Sequence, residues 1–249
     1  MTADANPLCL CEADTYFQPA IDNAVLRLQR LYNTGSHPII FNTYQAYLRD
    51  CLPRLQLDLE RARREGWQFG AKLVRGAYME HERSRAEEFG YDDPIQPTVE
   101  ATHATYASAM ELLLHPPQPE ATWLMVATHN EASILHAAGA LLRGEAAVPP
   151  GQVAFGQLLG MADHLTFALG ACGAPPLKFR AILAPRAEAS LPWHAGLKAY
   201  KYVPWGSVGE VVPYLLRRAT ENADAMSGAP AQRAMMLREL RRRFGFGTW

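Results

Sequence analysis

The sequence predicts an α/β fold, a parallel sheet wrapped by helices, and within that class a (β/α)8 TIM-type barrel. Three observations lead there. Short apolar, partly β-branched runs alternate with segments of helical period. No G-x-G-x-x-G turn is present, which a dinucleotide-binding doubly wound sheet requires. Polar residues recur at the carboxyl end of strand after strand, the rim where barrel enzymes place their chemistry.

The strands are read in order. A weak run lies around Cys9–Ala13, followed by His37–Phe41, Phe69–Val74, Trp123–Thr128, Val153–Gln157 and Ala199–Val203. Each clear run is short, apolar and bounded by polar or glycine-containing bends. Helical period follows. In Tyr47–Trp67, residues Leu48, Leu52, Leu55, Leu59 and Ala62 fall three or four apart. Thr98–Leu114, Glu131–Arg143 and Gly209–Asn222 behave alike. Residues 1–249 are read as one barrel domain, with Ala174–Leu197 as an inserted loop rich in proline. Eight strands are not visible, so the barrel is expected to be incomplete at its N-terminus.

Composition narrows the function. Lys and Arg number 24 against 25 Asp and Glu, so no field suits a polyanion and no nucleic-acid partner is expected. The basic run at Arg238, Arg241, Arg242 and Arg243 reads as one solvated helix face. Four cysteines, with Cys9 and Cys11 as an isolated C-x-C, form neither a disulfide framework nor a zinc site. No run of about 18 apolar residues suggests a bilayer span, and no targeting segment is readable.

Five segments, taken together and in order, resemble the proline dehydrogenase family in its eukaryotic mitochondrial form. They are FNTYQAYL at 41–48, KLVRGAY at 72–78, ATHNE at 127–131, FGQLLGM at 155–161, and YVPWG with YLLRRATEN within 202–222. The resemblance implies a distorted (β/α)8 barrel that binds FAD and oxidises L-proline to 1-pyrroline-5-carboxylate. It further implies a quinone as electron acceptor, a mitochondrial location, and a peripheral contact with the inner membrane. Hydroxyproline oxidation by the same machinery is the nearest alternative. A truncated, catalytically impaired remnant is another, and a Schiff-base lyase using Lys72 or Lys201 a third.

Each segment also has a chemistry of its own. Arg217 and Arg218 are paired guanidiniums, read as lying near the start of a helix, with Glu221 one turn on. Such a fork binds a carboxylate, or forms a surface salt bridge along the helix. The resemblance assigns it the carboxylate of proline. Tyr202 ends a strand, as a core-rim residue or, by resemblance, a lid over the substrate ring. Tyr78 and Leu158 are implied as further walls of the pocket. Gly76 permits a close backbone approach, and the resemblance sets Lys72, Val74, Gly76 and Ala77 beside the flavin. Gln45 can donate and accept, which suits a flavin ring edge or a loop carbonyl. Thr128, His129 and Asn130 superficially suggest a metal or acid–base site, yet no second ligand stands at metal spacing. The resemblance gives them, with Gln157, to FAD.

Two departures stand out. The family's acidic residue before the TYFQPAI helix falls on Cys11 or Glu12, depending on a one-residue gap. The elements that precede it in the family, including a lysine that pairs with the substrate carboxylate, have no counterpart in residues 1–10, which leads to the expectation of a truncated start.

Overall fold

The computed structural model describes residues 8–9, 15–171, 197–221 and 237. The 174–196 part of the expected insertion, Cys11, Glu12 and the basic residues 238–243 lie outside the described residues. Six strands form one parallel sheet: β1 Leu8–Cys9, β2 Ile40–Gln45, β3 Phe69–Val74, β4 Thr122–Ala127, β5 Val153–Leu158 and β6 Lys198–Tyr202. They pair in strict chain order, β1 through β6. A doubly wound sheet would reverse direction at its switch point, and this one does not. The result is a half-barrel. Six of a barrel's eight strands occur among the described residues, with β1 and β6 at the sheet's two ends.

The helices are α1 Gln18–Tyr32, α2 Cys51–Glu65, α3 Met79–Phe89, α4 Val99–Leu114, α5 Glu131–Leu142, α6 Asp163–Ala171 and α7 Val208–Glu221. Alternation along the strands divides the sheet into two faces. One face carries Tyr44, Phe69, Leu73, Leu124, Val126, Val153 and Phe155, all buried in the main core with Leu55, Leu59, Tyr106, Leu113, Ile134 and Leu141 from the helices. At about 25 cal/mol per Å² of apolar surface, that layer is the principal source of stability. On the opposite, lumen face Phe41, Thr43, Gln45 and Val74 are buried, while Lys72, Met125, Ala154, Gly156 and Leu158 are only partly covered.

Strand β2 begins at Ile40, three residues later than expected, and runs to Gln45 through FNTYQ. Every residue in it is buried. Its polar side chains survive there because the helices answer them: Asn42 donates to Asp22 at 3.1 Å and Tyr44 to Asp58 at 3.0 Å. Helix α2 starts at Cys51 rather than Tyr47, because 46 and 47 extend the pairing with β3 through Ala46 N to Val74 O and Tyr47 N to Arg75 O.

Three buried amides fasten the amino ends of the strands. Gln29 donates to the carbonyls of Ile40 and Gly70. Asn33 donates to Ile40 and Gln68 and accepts from the backbone of Ile39 and Ile40. Gln152 reaches the carbonyls of Pro119, Glu120 and Thr122. The opposite ends of the strands are thereby left to the site.

Candidate active site

Cross-strand register builds the lumen face in rows. Thr43, Lys72, Met125, Ala154 and Lys198 are successive partners in one row. In the row above, Gln45 pairs with Val74, and Ala127 with Gly156 and then Tyr200. Leu158 and Tyr202 are partners at the top. Ala127 and Gly156 are small and only partly covered, so the face is shallow at this pair. Tyr202 is half exposed, and its ring lies 5.7 Å from that of Tyr214 on α7.

The turn after β3 is held by close packing. Gly76 has φ +125°, and a Cβ there would stand 2.2 Å from the ring of Tyr47. Only glycine fits. Ala77 follows, and Tyr78 is the residue before α3, partly buried. Gln45 is fully buried at the end of β2, where its Nε2 donates to Gln18 Oε1 at 3.1 Å. Gln18 in turn donates to Asp22.

The turn after β4 is the most organised part of the rim. Thr128 N donates to Gly156 O, and Asn130 N to Thr128 Oγ1. Asn130 caps α5, accepting from Ser133 N at 3.0 Å. His129 Nε2 accepts from the backbone of Leu158 at 3.0 Å. Burial, and secondarily the Lys201 ammonium, press the imidazole down to about 4, so it is neutral at pH 7 and can accept. Lys201 itself is committed: its Nζ pairs with Asp163 at 2.7 Å and donates to Leu158 O and Met161 O. A paired ammonium is a poor Schiff-base nucleophile.

Gln157 sits differently from Leu158. It is buried on the helix-facing side of β5, where Thr166 Oγ1 donates to its Oε1 at 2.9 Å. Period-two alternation forces this, since Leu158 already takes the lumen side. Arg217, Arg218 and Glu221 lie in the last turns of α7, not near its start. Their side chains lie outside the described residues. Arg75, the residue after β3, reaches His103, Thr128 and Ser133. Among the described residues no group of three His, Cys, Asp or Glu side chains is placed to hold a metal ion.

Such a half-barrel, with polar and aromatic side chains gathered at the carboxyl ends of β2 to β6, belongs to the class of parallel α/β barrel domains that build sites at that rim. The family is settled by comparison: residues 14–230 match the proline dehydrogenase family, and the chain belongs to it. It is 45% identical over 237 residues to human "Proline dehydrogenase 1, mitochondrial", covering 94% of this chain and 35% of that one. It is 41% identical over 234 residues to bovine "Hydroxyproline dehydrogenase", covering 92% and 45%. The chain therefore spans about a third to a half of these relatives' lengths. The crystal structure of proline utilization A from Bdellovibrio bacteriovorus, inactivated by N-propargylglycine, superposes with a TM-score of 0.66 at 22% identity. That match covers 87% of this chain and 20% of the other, and it supports the fold.

Proposed function

We propose that this domain oxidises L-proline to 1-pyrroline-5-carboxylate, with FAD on the lumen face and a quinone as the final electron acceptor, in the mitochondrion. The observation that carries the reading is the shallow pair Ala127 and Gly156, bordered at the rim by the Leu158–Tyr202 pair. A planar ring system fits a floor without bulky side chains. At Gly156 even an added Cβ would meet nothing closer than 3.7 Å. Lys72, the 74–77 backbone, Thr128, His129 and Gln45 are the residues that would hold the cofactor. When bound, FAD supplies the hydride acceptor.

The chain's own residues do the rest. Leu158 and Tyr202 wall the substrate ring and exclude water from it. Arg217 and Arg218 bind the substrate carboxylate bidentately, which fixes the ring's orientation, with Glu221 steadying the pair. Proline's amine must be neutral before C5 can give up a hydride; the C5–N bond then becomes the iminium, which releases its N–H proton to water to leave the imine. Absorbance near about 450 nm in the purified chain tests for flavin, and proline-dependent dye reduction tests for turnover. A monodisperse chain that takes up FAD yet leaves proline untouched would refute the activity. A chain that aggregates without binding FAD would favour the impaired-remnant reading.

The hydroxyproline alternative is supported by the 41% identity to the bovine relative. Tyr202 weighs against it, since by resemblance a smaller residue there opens room for the 4-hydroxyl.

A further inference from the structure

Arg75 follows the last residue of β3 and carries a half-buried guanidinium. No carboxylate among the described residues pairs with it. Nε donates to His103 Nδ1 at 3.0 Å, one terminal nitrogen to Thr128 Oγ1 at 2.8 Å, and the other to Ser133 Oγ at 3.0 Å. Its plane lies over the Tyr106 ring, with the central carbon 4.2 Å from the centroid. Ser133 lies in the first turn of α5, so the cation also faces the positive end of a helix dipole.

That arrangement is costly. A half-buried cation at a helix N-terminus, answered only by neutral oxygens, a neutral imidazole and a ring face, gains little stability over an apolar side chain of the same shape. What it gains is geometry. A planar fork is the one side chain that can hold three acceptors in fixed directions at once. Thr128 is the hub, because its Oγ1 also accepts the N–H of Asn130.

We propose that Arg75 is a positioning residue: it clamps the Thr128–Asn130 turn against the end of β3 and so sets the rim to which the cofactor binds. The cofactor part rests on the flavin reading above; the clamp itself does not. Lysine would keep the charge and lose the span. Methionine would keep the bulk and lose both.

The test uses the full 249-residue chain. In cofactor-free protein, NMR titration of His103 reads the clamp directly. Burial and the adjacent guanidinium hold that imidazole below its ordinary value, so Arg75→Met must raise it. FAD titration then reads the consequence: Arg75→Met and Thr128→Val each raise Kd about tenfold, and the double variant falls short of the product of the two, because both remove the Arg75–Thr128 bond. KM for proline at saturating FAD stays within about twofold, a split that general loosening would not give. Should Arg75→Met fail to fold, Ser133→Ala removes one leg of the clamp together with the bond from Ser133 Oγ to Asn130 Oδ1, and must raise the FAD Kd about threefold. An unchanged His103 titration, additive effects on Kd, or Ser133→Ala indistinguishable from the parent each overturn the proposal. A parent chain that binds no FAD sinks the flavin reading, and the His103 titration then decides the clamp.

Discussion

His129 makes the pH dependence of stability calculable. Its imidazole is neutral in the fold, where Nε2 accepts from the Leu158 backbone and Lys201 stands nearby. The native value, about 4, lies below the ordinary 6.5 of an unfolded chain. The unfolded state therefore binds the proton more readily, and stability must rise with pH. The contribution is complete above about 6.5 and is lost as pH falls toward 4. The gap, at about 1.4 kcal/mol per tenfold difference in proton affinity, comes to roughly 3 kcal/mol. Partial exposure of the ring reduces that to about 2 kcal/mol. The perturbation is His129→Gln, whose Oε1 can still accept the Leu158 N–H and does not titrate. Urea unfolding at pH 7, 5.5 and 4 supplies the assay. Carboxylates also lose stability over this interval, so the difference between parent and variant is the quantity that counts. The parent should fall by about 2 kcal/mol more than the variant between pH 7 and 4. Parallel curves would refute the assignment of a neutral, accepting His129.

Gly76→Ala should cost about 2–5 kcal/mol, from the positive φ and the collision with Tyr47, read as a lowered urea midpoint. Substituting Arg218→Met should lower kcat/KM for proline roughly 30- to 1000-fold in flavin-loaded protein; retained activity with unchanged proline affinity would count against the carboxylate fork. Tyr202→Ser should move the ratio of kcat/KM toward trans-4-hydroxyproline by roughly tenfold or more, since filling a small apolar slot discriminates by about 1–3 kcal/mol. No gain for the hydroxylated substrate would remove Tyr202 from the substrate wall.

The strand–helix alternation was legible because apolar runs of four to six residues and helical period are local signals, and β3 was read to the residue. Strand β2 was misplaced for a physical reason. The apolar run ends at Phe41, and the strand continues to Gln45 because Asp22, Asp58 and Gln18, distant in sequence, answer Asn42, Tyr44 and Gln45. Helix α3 lacked an apolar stripe to announce it: of MEHERSRAEEF only Glu82 and Ala86 are buried. Glu82 is held there by Thr15, 67 residues away. At the site, the segments that carry the family resemblance were readable, but side-chain direction was not. Gln157 and Leu158 are neighbours in sequence and face opposite sides of β5. Arg75 stood in plain view at the end of β3, yet only the fold gathers His103, Thr128 and Ser133 around it.

The amides of Gln29, Asn33 and Gln152 have a consequence for how the domain breathes and how it can change. Each bridges the starts of neighbouring strands or the approach to one, so the sheet is sewn along one hem. Local opening should start at the other hem, with amide hydrogens near Leu158 and Tyr202 exchanging well before those near Ile40 and Gly70. Substitutions at the rim then leave the seam intact. A lineage could retune what the rim admits, one strand end at a time, while the stitched edge carries the fold unchanged.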